Sequence, residues 1–231
     1  MGMENPPSTS LPRSIGEDLC RILSARCVDP NIAWPYHPRV GLGRLLLDSL
    51  VQALAARSPL FASGVRDGSI SLGLSRKIGG KRRQKKIDLV ITRDSSLATL
   101  VAVEIKSCMT AHSKAHTRLV AELTSSLDAL LDADPNAKFF AMVAINYGTK
   151  FTSPLNLPGP NLHDSGDAPA LTAALRQSLT NNIEMAGTLV IPIEFDNETS
   201  CRMAVADSGH YPEGEANFMA GILGALGLPV S

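Results

Sequence analysis

Lys85-Lys86-Ile87-Asp88-Leu89-Val90-Ile91 and, beyond the turn Arg93-Asp94-Ser95-Ser96, Leu100-Val101-Ala102-Val103-Glu104-Ile105-Lys106-Ser107 decide how this chain folds. Both are short apolar runs bounded by polar turns, the pattern of buried strands joined by a tight connection. Glu104 and Lys106 flank one isoleucine, so the period of two along a strand points both side chains to the same face. A lone charge is costly to bury there, whereas a carboxylate and an ammonium that share a metal and a water satisfy one another. Pairing of the two runs through the Asp94 turn brings Asp88 toward Glu104. The result is a two-carboxylate pocket for a hard, oxygen-preferring cation such as Mg²⁺.

Just before these runs, Ile70, Leu72 and Leu74 alternate with Ser and Gly and add a third strand, which predicts a meander. After Lys106 the period turns helical, with Leu119, Leu123, Leu127 and Leu130 in one stripe that ends at Asp134-Pro135. Seven consecutive apolar residues, Phe139 to Ile145, then predict a strand buried on both faces and reached by a parallel crossover. Upstream, Leu42 to Ala56 carries one apolar face at three-four spacing, and an earlier helix starts at the cap Ser14 and runs through Ile15, Leu19, Ile22 and Leu23. Residues 1–38, ending in the proline-rich Asp29 to Pro38, read as an N-terminal helical extension in the same domain or loosely attached. Residues 39–231 read as the main domain, with an insertion loop at 151–170 rich in Pro, Gly, Asn and Asp. A helix over Ala168 to Met185, a strand over Gly187 to Phe195 and a last helix from Glu215 complete the chain.

Asp88 together with Glu104-Ile105-Lys106, in this order of elements, resembles the PD-(D/E)XK nuclease superfamily, the fold of many type II restriction endonucleases. The resemblance covers about residues 40 to 150 and has Ile87 where the family name carries Pro. It implies an α/β fold with a restriction-endonuclease-like mixed central sheet, an αβββαβ core flanked by helices. It also implies that Asp88 and Glu104 hold Mg²⁺, and that Lys106 orients or helps deprotonate the attacking water and stabilises charge on the phosphate. The family often adds an acid from the helix before the sheet; Asp48, one turn beyond Arg44, is the first candidate, ahead of Glu17 and Asp18.

Between Ser75 and Ile87 stand seven cations and no acid: Arg76, Lys77, Lys81, Arg82, Arg83, Lys85 and Lys86, with Gly79-Gly80 at the bend. In a chain of 22 Lys plus Arg and 22 Asp plus Glu, this places nearly a third of the positive charge in a hairpin leading to Asp88. A DNA duplex backbone is the partner such a strip fits. Lys114 and Arg118 open the following helix and Asp128 and Asp132 close it, the reverse of what the helix dipole favours, which makes the two cations further candidates for phosphate contact. His112 and His116, four apart, continue the apolar stripe and read as packed or hydrogen-bonded histidines rather than metal ligands.

Composition narrows the remaining classes. With 231 residues, 44% apolar and no net charge, the chain has a core of its own and lacks the uniformly basic surface of a histone-like protein. Aromatics at 4% are too few for a stacking platform, which weighs against single-strand binding. Cys20, Cys27, Cys108 and Cys201 form no C-x-x-C pair, so zinc and disulfide frameworks are not expected and a reducing, cytoplasmic setting is. No G-x-S-x-G elbow supports a serine hydrolase. Met219 to Val230 is apolar but broken by three glycines and too short to span a membrane, leaving a packed terminal helix or a dimer contact.

The expectation is therefore a Mg²⁺-dependent endodeoxyribonuclease on double-stranded DNA, a type II restriction endonuclease acting as a homodimer. A repair or phage-type nuclease of the same fold, or a DNA-binding module that does not cut, are the alternatives.

Overall fold

The computed structural model describes residues 14–28, 42–79, 84–94, 99–108, 112–147, 168–182, 185–196, 202–205 and 211–230. Among these residues six strands form one mixed sheet in sequential order: β1 (Ile70–Ile78), β2 (Lys85–Arg93), β3 (Thr99–Cys108), β4 (Lys138–Asn146), β5 (Gly187–Asp196) and β6 (Arg202–Val205). The first three are an antiparallel meander, β4 lies parallel to β3, β5 parallel to β4, and β6 returns antiparallel. Among the described residues six helices accompany them: α1 (Ile15–Val28), α2 (Leu42–Arg57), α3 (Pro59–Asp67), α4 (His112–Ala133), α5 (Ala168–Asn182) and α6 (Tyr211–Ala225). The chain is a mixed α/β protein in which the helix, three strands, helix, strand order expected of a restriction-endonuclease-like core is the order observed, with α3 inserted ahead of β1.

β4 shows why the layers form. Its seven apolar residues alternate between two cores, Phe140, Met142 and Ala144 facing one and Phe139, Ala141, Val143 and Ile145 the other. The first core is closed by α1, α2, α3 and α6 through Leu19, Leu50, Phe61 and Met219, and the second by α4 and α5 through Leu119, Leu123, Leu171 and Leu175. Both crossover helices thus lie on one side of the sheet, as successive parallel crossovers of one hand require.

Several sequence expectations need correction. The hydrophobic pattern does not predict α3, although Ser58 caps it, Pro59 opens it and Gly68 ends it at φ 85°, in the left-handed region that suits glycine. It does not predict β6 either, because four residues carry too little periodicity to stand out. α6 begins at Tyr211, four residues before Glu215, and β1 runs on to Ile78 and so includes Arg76 and Lys77. The C-terminal apolar run is core: Ile222, Leu223, Leu226 and Leu228 are buried within this one chain, so no second copy is needed to cover them. Its end is fixed by Gly227 at φ 66°, by Leu228 N–H donating to Leu223 O at 2.9 Å, and by Arg93, whose Nη1 donates to the carbonyls of Leu226 at 2.7 Å and Gly227 at 3.1 Å. In the 151–170 loop, residues 151 to 167 lie outside the described residues, as do 1 to 13 and 29 to 41. Among the described residues no helix is long and apolar enough to cross a membrane.

α1 joins the first core through Ile15 and Leu19, and its N-terminus is capped by α6 rather than by its own sequence alone. The Glu215 carboxylate accepts from Ile15 N–H at 2.9 Å and the Tyr211 hydroxyl accepts from Gly16 N–H at 2.9 Å, while Arg57 lies 3.6 Å from the other Glu215 oxygen. Burial pushes the Glu215 carboxyl above the usual range, against the opposing pull of Tyr211, the Ile15 amide and Arg57. A folded pKa above the unfolded one contributes stability that is present below the unfolded pKa and lost as pH rises through the folded value. Glu215→Gln keeps an acceptor for Ile15 and removes the titration. Urea midpoints of the two proteins are therefore expected to shift in favour of the variant on going from about pH 4 to about pH 8. Parallel pH profiles would show that Glu215 is not the titrating group.

Candidate active site

The site lies where the sheet forks. β2 and β3 pair from Arg93↔Thr99 to Leu89↔Val103 and no further, although β2 extends back to Lys85 and β3 on to Cys108. Beyond the fork β2 stays with β1 as far as Ile78↔Lys85, and β3 stays with β4 as far as Cys108↔Ile145. The first residues past the last rung are Asp88 and Glu104. Their side chains replace the missing ladder: Ile105 N–H donates to Asp88 Oδ2 at 2.8 Å and Asp88 N–H donates to Glu104 Oε2 at 3.4 Å. A carboxylate that accepts from a backbone N–H is held in place by a charge-assisted bond.

β2 also rotates at this point. Ile87 packs in the α4–α5 core whereas Leu89, two residues on, packs in the other, contrary to simple alternation. Across the hairpin, Ser75 falls between the pairs Leu74↔Leu89 and Arg76↔Ile87 and adopts φ 51°, a left-handed conformation uncommon for a residue other than glycine. The backbone is distorted on the rung that carries Asp88, as is common beside functional side chains.

Glu104 is only 3% exposed, and its Oε1 accepts from Lys106 Nζ at 2.7 Å and from Ser126 Oγ of α4 at 3.5 Å. Burial raises the Glu104 pKa above the usual carboxylate range against the pull of Lys106, and the Asp88 charge adds to the rise. Burial works to lower the Lys106 pKa, but Glu104, Asp88 and Glu122 outweigh it and hold the side chain as an ammonium, above the ordinary lysine value. Lys106 donates to Glu104 here as a hydrogen-bonded point charge.

The donor set fits Mg²⁺. Two hard carboxylates stand side by side, and Mg²⁺ usually takes one or two carboxylates and completes its shell with water and substrate phosphate oxygens. Among the described residues no three His, Cys, Asp or Glu side chains gather as a metal cage. Asp48 does not join the group. α2 packs on the core opposite to the face that carries Glu104 and Lys106, and Asp48 is exposed, 3.1 Å from Arg44 one turn earlier. Glu17 and Asp18 lie on α1, with Glu17 at the cap Ser14 and Asp18 3.3 Å from Arg21.

Of the expected DNA contacts, Arg76, Lys77 and Lys86 are exposed and Lys85 half-buried on the β1–β2 arm of the fork. None of these four forms an ion pair with a described residue. Lys81, Arg82 and Arg83 lie outside the described residues, and so does the side chain of Lys114. The arm is anchored by Ile87 beside the fork and by Ile78 on its last rung, both in the α4–α5 core, so its cations are carried on an anchored element. Arg118 is exposed on α4, 3.8 Å from Glu122. His116 packs against α5 with its Nε2 3.2 Å from Ser178 Oγ, a hydrogen-bonded histidine as expected; the His112 side chain lies outside the described residues.

Sequence reasoning missed Ser126 and Glu122. Arg118, Glu122 and Ser126 form an i, i+4, i+8 row on α4, beside the leucine stripe that marks the helix. That row faces the end of β3: Ser126 reaches Glu104, and Glu122 Oε2 lies 3.6 Å from Lys106 Nζ.

No model of a known protein family matches this chain, and no curated relative does. Among solved structures it is similar to an XisH family protein from Nostoc punctiforme, at 15% identity and TM-score 0.31, over 62% of this chain and 93% of that one. It is similar also to a FdxN element excision controlling factor protein from Anabaena variabilis, at 13% identity and TM-score 0.30, over 63% of this chain and 94% of that one.

Proposed function

We propose that this chain is a Mg²⁺-dependent endodeoxyribonuclease that hydrolyses phosphodiester bonds of double-stranded DNA, acting as a homodimer of the type II restriction class. The observation that carries the proposal is the fork: Asp88, Glu104 and Lys106 meet where β2 leaves β3, and the departing arm carries cations with no ion partner among the described residues. Lys85 and Lys86 precede Asp88 by three and two residues, so a backbone lying along the arm brings a phosphate within about 10 Å of the carboxylates at ~3.3 Å per residue.

Hydrolysis forms a bond from a water oxygen to phosphorus, with loss of a proton from that water, and breaks the bond from phosphorus to the leaving deoxyribose oxygen, which takes up a proton. Asp88 and Glu104 would hold Mg²⁺, which when bound supplies positive charge to the phosphate and a more acidic water. Asp88, fixed by the Ile105 amide, keeps its orientation without needing the substrate. Lys106, whose Nζ lies at the mouth of the fork, donates from its ammonium to a phosphate oxygen as negative charge grows there. Cutting both strands with one pocket per chain calls for two copies about a two-fold axis. The apolar residues of α6 are buried within the chain and do not supply that contact.

The test is incubation of the purified chain with unmodified plasmid in Mg²⁺ and in EDTA. Discrete fragments in Mg²⁺ alone are expected. A smear would point to a repair-type nuclease, and binding without cutting in Mg²⁺ would point to a non-cleaving module.

The basic segment makes a separate prediction. Replacing Lys81, Arg82 and Arg83 with Gln should weaken binding to duplexes of every sequence and reduce the slope of log affinity against log salt by roughly 0.9 for each phosphate no longer neutralised. Unchanged binding and slope would make the run a solvated tip, and a weakening confined to one sequence would make these side chains base readers.

A further inference from the structure

From the surface inward, four side chains of alternating sign lead to the fork. Arg118 lies 3.8 Å from Glu122, Glu122 3.6 Å from Lys106, and Lys106 2.7 Å from Glu104. The Lys106 ammonium therefore occupies the same carboxylate that the proposed Mg²⁺ would need, with Glu104 the nearer of its two carboxylate partners. A divalent cation entering between Asp88 and Glu104 meets that ammonium as a like charge and as a competitor for Oε1. The competitor has somewhere to go. Lys106 is 21% exposed and its Nζ needs to shift only about 1 Å to bring Glu122 within the length of a charge-assisted hydrogen bond. Glu122 is 44% exposed and its Oε2 faces Lys106, while Oε1 faces Arg118, so the α4 row offers a seat already oriented for the lysine.

We propose that Glu122 is a positioning residue that receives the Lys106 ammonium from Glu104 when a divalent cation binds. The exchange frees Glu104 Oε1 for the cation and leaves Lys106 beside the phosphate instead of drawing it away. This role rests on the functional reading above, deepens the same site, and involves no change of protonation at any group.

Cation binding tests it without turnover. Mn²⁺ suits carboxylate and water ligands as Mg²⁺ does and is counted by loss of the free-ion electron paramagnetic resonance signal on titration into the DNA-free full chain. Glu122→Gln is expected to weaken Mn²⁺ binding about tenfold, a coupling of the size neighbouring charged groups commonly show. Glu122→Asp is expected to recover most of the wild-type affinity. In a Lys106→Met background, or Lys106→Gln if the first does not fold, Glu122→Gln is expected to change affinity by less than about twofold, since no ammonium remains to be seated. An equal loss of affinity in both backgrounds would mean that Glu122 acts only through its field on the cation, and overturns the proposal, as does an unchanged affinity in Glu122→Gln. Wild-type protein that binds no Mn²⁺, or Asp88→Asn protein that binds it undiminished, overturns the functional reading itself and the proposal with it. The first two failures leave Asp88-dependent binding intact and are distinguishable from these.

Discussion

Asp88→Asn and Glu104→Gln are each expected to lower Mg²⁺-dependent plasmid cleavage by at least about a thousandfold, the scale on which groups that stabilise transition-state charge act, while the melting temperature changes little. The asparagine keeps a carbonyl oxygen for the Ile105 amide, and the glutamine keeps one acceptor oxygen for Lys106 and gives up only the long 3.4 Å bond from the Asp88 amide, so each change leaves the shorter bond at its site in place. Lys106→Ala is expected to abolish cleavage as well, but with a lower melting temperature, because it leaves Glu104 buried beside Ser126 without its counter-charge. Cleavage assays with a duplex-binding control separate these effects. Wild-type-like cutting by any of the three, or full activity in EDTA, would remove this cluster from the chemistry.

A chain ending at Asn217 is expected not to fold. The truncation removes Phe218, Met219, Ile222, Leu223, Leu226 and Leu228, all buried in the first core, and at roughly 1.5–3 kcal/mol per buried apolar side chain the loss is on the order of 10 kcal/mol. That is comparable with the whole stability of a domain of this size. It also deletes the Leu226 and Gly227 carbonyls that Arg93 binds and the Phe218 ring that packs edge-to-face with Phe140, ring centroids 5.7 Å apart at 88°. Circular dichroism and urea titration of the truncated chain check the point. A cooperatively folded monomer would show that α6 is an appendage after all.

The strand residues are legible in the sequence because their physics is local. Asp88, Glu104 and Lys106 interrupt apolar runs, and the period of two is enough to put Glu104 and Lys106 on one face. The parallel entry of β4 is legible from an unbroken apolar run after an amphipathic helix. Less accessible is anything set by packing across the sheet. Asp48 sits at a suitable place in the element order, yet whether α2 turns that side chain toward the fork depends on which core the helix joins. Glu122 and Ser126 are hidden for the complementary reason: the apolar stripe shows which face of α4 is buried, and only the three-dimensional meeting with β3 shows which polar row borders that face. For the C-terminal run, sequence leaves core and dimer contact open because both demand the same apolar face, and the neighbours Phe140 and Leu189 that decide it come from distant parts of the chain.

The amide of Ile105 gives the fork a built-in indicator. Its hydrogen bond ends on Asp88 Oδ2 and not on a backbone carbonyl, so the proton's resonance position and its rate of exchange with deuterium follow the state of one carboxylate rather than the breathing of a ladder. A single assigned cross-peak in a nitrogen-15 spectrum would therefore show when that carboxylate acquires a ligand, on the intact protein and with no nucleic acid present.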